Sequence, residues 1–417
     1  MNMQKVIQIK QVRMGMFIQE LKGSWIDHPF WKKAFLLEDP EDLQKLKSSP
    51  IKKLVIDVSK GLDVEVEPAP EVLEAPFLEL AATASPVLES NPAPVEKKQI
   101  DKTVRISATE ERTQAKRILN ASKQAVTSMF REVRMGKALN AEAAMPLVEE
   151  ISASLARNES ALISLIRLKS KDDYTYMHSV AVCALMIALA KELKLTEIET
   201  KQAGLAGLMH DLGKAAVPLD VLNKPGALTN DEFVLVKKHP ALGHEMLLTA
   251  NFQDQITLDV CLNHHEKVDG SGYPHGLKDE QISIYAKMGA VCDVYDAITS
   301  NRPYKKGWEP GVSLQRMANW KGHFDEQIFK AFVKSVGIYP VGSAVMLKSG
   351  RLAVVIDQNP TSLLTPLVKV FFSTKSKSRL PIETVDLSKP SANDNIIGHE
   401  DPVLWGITDF NQLWAAD

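Results

Sequence analysis

Only three cysteines occur in this chain of 417 residues, Cys183, Cys261 and Cys292, far apart and odd in number. They build no CxxC pair and no disulfide framework, which fits a reducing compartment, the cytoplasm. Long apolar runs are missing as well. The longest, residues 180–190, is about half of the roughly 20 residues that a membrane helix needs. The amino terminus, MNMQKVIQIK, has no apolar core of signal-peptide length. Net charge is low: −2, from 50 basic and 52 acidic side chains, leaves no global nucleic-acid footprint, so any anion-binding surface is local. These absences leave a soluble intracellular protein of ordinary composition, long enough for two to three domains.

Lysine and arginine disappear altogether over residues 61–96, while Pro68, Pro70, Pro76, Pro86, Pro92 and Pro94 interrupt the chain. Proline removes backbone donors and biases its predecessor towards extended conformations, so residues 67–104 read as an acidic, semi-extended linker. Before it, residues 1–66 read as a small β-rich accessory domain with apolar or β-branched runs at 6–9, 16–18 and 54–58. Asp39-Pro40 supplies a cap and a first-turn proline for a short helix over residues 40–47. After the linker the period becomes helical. Ile118, Ala121, Val126, Met129 and Phe130 share one broad face, as do Leu147, Ile151, Leu155, Leu162 and Ile166. Residues 336–417 change texture again, with three strand-like runs at 344–347, 353–356 and 368–372. The expected fold class is mainly α: a helical domain at 105–335 between a small N-terminal β-rich domain and a C-terminal β appendage.

Seven of the ten histidines lie between residues 178 and 293. His178, His210-Asp211, His239, His264-His265 and Asp293 follow one another there, each adjoining sequence that reads as helix. Any one of them alone is more often a satisfied core residue than a ligand. For His210-Asp211 the plain reading is a core histidine beside an ion pair between Asp211 and Lys214, one turn on. Seven such groups in one helical stretch are hard to place as core. An interleaved set of imidazoles and carboxylates without thiolates is what a site for two divalent metals needs. Two divalent ions against two carboxylates leave roughly +2 for a phosphodiester and a hydroxide. Ions about 4 Å apart clamp a phosphate, which suggests hydrolysis of a phosphate ester.

His178, then HDLGK (210–214), His239-Pro240, HHEKVDGSGYP (264–274) and DVYDAITSNRPYK (293–305) together closely resemble the HD-GYP domain. That domain is the bacterial subgroup of HD-superfamily phosphohydrolases acting on cyclic di-GMP. The match runs without a large gap and takes in NKPGALT (223–229), while GMFIQELKGSWIDHPF (15–30) resembles an uncharacterised domain often fused in front. The resemblance implies an all-helical, metal-dependent phosphodiesterase domain. It assigns His178, His210, Asp211 and Asp293 to one metal, and Asp211, His239, His264 and His265 to a second, with Asp211 bridging. It gives catalytic roles to Asp211 and Lys214, and substrate contacts to Asp172, Lys214, Tyr273, Arg302 and Lys305. Iron or manganese suits this ligand set, with zinc or nickel as alternatives. Cys292 reads as a small buried residue rather than a ligand. His28, His244, His275, His323 and His399 fall outside the set.

In one respect the chain departs from part of the family. Some members have a glutamate four residues before the first histidine, which brings in a third metal. Tyr174 stands at that position here, and Asp172 and Asp173 are out of phase with it on a helix. Two metals are therefore expected, with pGpG as the product and its further hydrolysis to GMP in doubt. A competing reading makes the chain a catalytically weak cyclic di-GMP receptor or protein-interaction module, against which the intact ligand set argues. Another HD hydrolase, acting on dNTPs or cyclic AMP, leaves the GYP loop and the RPYK segment unexplained. Apolar helix faces at 105–170 serve either dimerisation or the chain's own core. No DNA, RNA or membrane span is expected, and the input signal is not legible.

Overall fold

The computed structural model describes residues 4–22, 35–37, 43–44, 46–47, 53–62, 107–135, 144–166, 174–224, 226–300, 307–359 and 361–415. The linker at 67–104 and the residues Asp172, Arg302 and Lys305 lie outside the described residues. The chain divides into two compact units, Met1–Pro76 and Phe77–Asp417.

In the first unit four antiparallel strands, β1 (Gln4–Gln8), β2 (Phe17–Lys22), β3 (Phe35–Leu36) and β4 (Lys53–Asp57), pair in the order β1-β4-β2-β3. Ile7, Ile18, Leu54 and Ile56 close on Met16, Leu37 and Leu46 to form a small core. Of the helix expected over residues 40–47, Leu43, Gln44, Leu46 and Lys47 are described, and all four are helical.

The second unit is mainly helical. Helix α1 (Ala108–Arg134) starts at a capping box in which Ser107 and Glu110 each accept the other's backbone N–H. Ile118, Val126 and Phe130 face inward as expected. Ala121 does not: it is exposed, and its neighbour Ser122 is buried, donating its hydroxyl to the Ile118 carbonyl at 2.7 Å. That bond satisfies a polar group on an apolar face, so hydropathy alone misplaces the face by one residue. Helices α2 (Met145–Arg157) and α3 (Glu159–Ile166) break at Asn158, whose side chain accepts from Ala161 N at 3.0 Å.

Helix α4 (Tyr174–Glu192) is apolar and buried on every face over residues 180–190, so it runs through the middle of the domain. Val180, Ala184 and Ile187 join the cluster with α1, α2 and α3, while Val182, Leu185 and Met186 join a second cluster on the opposite side. Helix α5 (Glu197–Met209) packs most extensively against it. A Cβ added at Gly207 would stand 2.9 Å from the backbone of Val182 and Cys183, so the two helices meet backbone to backbone. The remaining longer helices are α6 (Asn230–Val236), α7 (His239–Thr249), α8 (Gln255–Asn263), α9 (Ile284–Thr299), α10 (Pro310–Ala318) and α11 (Glu326–Val336).

An antiparallel sheet of five strands follows: β5 (Ala344–Leu347), β6 (Arg351–Asp357), β7 (Leu367–Ser373), β8 (Ser378–Asp386) and β9 (Ile396–His399), in the order β8-β7-β6-β5-β9. The first three coincide with the strand-like runs of the sequence. The last two carry no clear alternation, because β8 is an edge strand exposed along most of its length and contains Pro381. Val354, Val370 and Phe371 pack with Trp414 in the core of this sheet. Among the described residues no helix is long and apolar enough to cross a membrane.

The close crossing of α4 and α5 is testable. Gly207→Ala is expected to cost about 1–3 kcal/mol through overpacking, read as a lower urea midpoint. An unchanged midpoint would mean that the helices separate freely.

Candidate metal centre

Six structural elements deliver seven side chains to one place. Helix α4 carries His178, and α5 ends on His210 as its C-cap. Asp211 then opens the 3-10 turn Leu212–Ala216. His239 is the first residue of α7, where Pro240 is tolerated because no intrahelical donor is lost. His264 is the C-cap of α8 and His265 follows, while α9 carries Asp293. The α4–α5 crossing at Gly207 sets the His178 and His210 rings 5.1 Å apart between centroids. A second backbone contact seats His239, since a Cβ at Gly213 would fall 1.9 Å from the His239 carbonyl oxygen.

Asp211 lies at the centre. Its Oδ2 is 3.5 Å from His178 Nε2 and 3.4 Å from His210 Nε2, and its Oδ1 is 3.2 Å from His239 Nε2 and 3.9 Å from His264 Nε2. Asp293 is shared in a similar way, with Oδ1 2.9 Å from His178 Nε2 and Oδ2 3.7 Å from His265 Nδ1. Two groups of potential ligand atoms result, His178 with His210 and Asp211, and His239 with His264 and His265, each within 4.8 Å.

The outer ring nitrogens decide which nitrogen faces inward. Nδ1 donates to a backbone carbonyl in three cases: His210 to Gly207 at 2.8 Å, His239 to Val236 at 2.8 Å, and His264 to Val260 at 2.9 Å. Each Nε2 then carries its lone pair inward. His178 differs, because its Nδ1 donates to the buried carboxylate of Asp296 at 2.7 Å. His210 Nε2 and Asp211 Oδ1 are buried without a hydrogen-bond partner, a costly arrangement for polar atoms unless a cation satisfies them. The donor set, nitrogen and carboxylate oxygen converging in a dry site, fits divalent metal ions.

Except at His178, whose charged form is favoured, protonation states agree with that fit. Burial presses the Asp211 carboxyl upward, but neighbouring His210 and the Lys214 ammonium outweigh it and hold the group well below the ordinary carboxylate range. Asp293 is held low against burial by its hydrogen bond from His178. Burial keeps His264 far below its usual value, helped by His265 and His210, and pushes His265 down to about 3. Burial also opposes charge on His178, yet its bonds to Asp293 and Asp296 win and raise it. The carboxylates are thus ionised and His264 and His265 neutral near pH 7, the forms that ligate metals.

Comparison with known proteins places this geometry. Residues 4–144 match a domain of unknown function (DUF3391), and residues 153–328 match the HD domain. The chain is 52% identical over 415 residues to the cyclic di-GMP phosphodiesterase PA4108 of Pseudomonas aeruginosa, spanning 99% of this chain and 96% of that one. The chain belongs to the HD-GYP family of HD-domain phosphohydrolases. Shorter matches include the cyclic di-GMP phosphodiesterase response regulator RpfG of Xanthomonas campestris, 41% identical over 35% of this chain and 39% of that one. A cyclic di-GMP phosphodiesterase of Thermotoga maritima is 34% identical over 39% of this chain and 45% of that one.

The loop that gives HD-GYP proteins their name folds directly onto the His264-His265 pair. Tyr273 stacks on His265, with ring centroids 4.6 Å apart and planes 27° apart, and donates its backbone N–H to the His265 carbonyl at 3.2 Å. Glu266, buried beneath the loop, accepts the backbone N–H groups of His275, Gly276 and Leu277 at 2.7, 3.1 and 3.0 Å. Gly272 passes so close that a Cβ there would lie 2.4 Å from Glu266 Cα. Lys214 pairs with Asp211 Oδ2 and keeps about a fifth of its side chain exposed. It reaches Asp211 from a 3-10 turn, where the sequence alone reads a continuing α-helix.

His244 is half-buried and His275 exposed, and neither joins the cluster. His323 stacks against Trp320 and Phe324, and His399 lies against Tyr339. Three contributors to this HD-GYP site were not assigned a part from sequence: Asp296, Glu266 and Gly213. The first stood in view one helical turn from Asp293; the other two act through contacts that no local pattern announces.

Asp296→Asn removes the carboxylate behind His178 and is expected to lower metal affinity about 10- to 100-fold. Chelator competition on folded protein measures this, and equal affinities would show that Asp296 does not tune the site.

Proposed function

We infer that this HD-GYP protein is a metal-dependent phosphodiesterase that hydrolyses cyclic di-GMP to pGpG and lowers this second messenger in bacterial signalling. One observation carries the reading. Seven imidazole and carboxylate groups converge on a buried point, in a chain 52% identical over 99% of its length to the P. aeruginosa enzyme. His178, His210, Asp211 and Asp293 would hold one ion, and Asp211, His239, His264 and His265 the other. The two oxygens of Asp211, each turned to a different histidine group, support its role as the bridge. Bound divalent ions supply Lewis-acid polarisation of the phosphodiester and acidify a water.

The chain's own residues do the rest. Lys214, paired to Asp211 but partly open to solvent, can turn its ammonium to the charge that develops on the phosphate. Tyr273 stands over His265 at the rim and, with Asp172, Arg302 and Lys305, would hold the nucleotide. Glu266 keeps that rim in place by its three backbone bonds. The ligand set favours iron or manganese over zinc or nickel, and two ions over three, because Tyr174 occupies the place of a further carboxylate. The helical segment 105–335 would then be the catalytic domain, with the β-rich segments 1–66 and 336–417 as regulatory additions on either side. Three free, buried cysteines suit a cytoplasmic setting.

Purified, metal-loaded protein should convert cyclic di-GMP to pGpG, and His210→Ala with Asp211→Ala should abolish turnover. Full activity in that double variant would refute the mechanism. Metal analysis of anaerobically purified protein should return two ions per chain, and three tightly bound ions would overturn the two-metal reading.

A further inference from the structure

A cation is built against the tyrosine of the GYP loop. Lys237, the residue after α6, has its Nζ 4.9 Å from the centroid of the Phe233 ring and 4.9 Å from the centroid of the Tyr273 ring. Phe233 lies four residues earlier and so on the same helical face. Tyr273 comes from the loop, and its ring in turn stacks on His265. The contacts therefore run in one chain, from Phe233 through the Lys237 ammonium and Tyr273 to His265.

Among the described residues Lys237 has no carboxylate partner, and its ammonium meets only the two rings. An ammonium over an aromatic face is attracted by the ring quadrupole, more strongly as water is excluded. Half-buried Lys237 ties the Tyr273 ring to α6 while the same ring rests on His265. Without it, Tyr273 keeps the His265 stack and one backbone bond, in a loop whose Gly270 sits at φ +82°. The Tyr273 hydroxyl has no hydrogen-bond partner among the described residues, so it is free to meet a ligand once the ring is placed.

We propose that Lys237 is a positioning residue of the active site, clamping Tyr273 onto His265 through its cation–π contacts and so setting where the Tyr273 hydroxyl meets the substrate. The substrate half of this statement rests on the phosphodiesterase reading above; the clamp itself does not. A rival route exists within the fold, because Lys237 adjoins Val236, whose carbonyl accepts from His239. An effect passed along that backbone would reach His239 without involving Tyr273.

Two measurements on the full chain separate these cases. Hydrogen exchange, which needs no substrate, should show faster exchange at residues 271–273, where Tyr273 N–H bonds the His265 carbonyl, in Lys237→Gln and wild-type protection in Lys237→Arg. With cyclic di-GMP, Lys237→Gln should raise KM about five- to tenfold with kcat within about twofold, the scale of a lost cation–π contact. The same change in a Tyr273→Leu background should have no further effect. Equal effects with and without the Tyr273 ring, an arginine variant as impaired as the glutamine one, or unchanged loop exchange would each overturn the proposal. If wild-type protein turned over no cyclic di-GMP, the substrate reading would fail, and the exchange result would still decide the clamp.

Discussion

A carboxylate buried at the meeting point of five helices sets the terms for this domain. Asp211 is shielded from water, so its charge must be compensated from within. The nitrogens of four imidazoles lie within 3.9 Å of its two oxygens, and Lys214 closes on it from the open side. Each of those nitrogens requires its own backbone to be brought close. Glycines at the crossings do this, Gly207 beneath His178 and His210, and Gly213 beneath His239. The packing of the core and the chemistry of the site are thus one constraint, since loosening either helix contact would separate the groups that neutralise Asp211.

Around this centre the hydrogen bonds are graded. Backbone carbonyls orient three histidines, while the Asp296 side chain backs His178. A carbonyl fixes a ring without adding charge; a carboxylate also makes the imidazole a stronger donor. His178 is therefore the more basic imidazole of the set.

Much of this was legible in the sequence, for a physical reason. Groups that are expensive to bury stand out when they recur in apolar helices, and His178, His210, Asp211, His239, His264 and Asp293 are all buried. The helical middle and the first three C-terminal strands were visible because one face of each is apolar. What stayed hidden depends on proximity across the chain. Strand β8 pairs with β7 at a sheet edge and has little hydrophobic pattern to show. Ser122 passes for a surface residue until its bond to Ile118 is seen. Glu266 reads as one more charge beside two histidines, because its partners are backbone groups nine to eleven residues further on.

That glutamate has a consequence for how the motif can be moved or altered. By gathering three amides from the far end of the loop, Glu266 turns a flexible strap into a closed ring fastened next to His265. A closed ring shifts as a body, so a push on its rim is delivered to the imidazole beneath instead of being absorbed by glycines. Transplanting the GYP tripeptide into another helical scaffold would therefore carry over a shape without its anchor. The smallest portable unit is the whole span from His264 to Leu277.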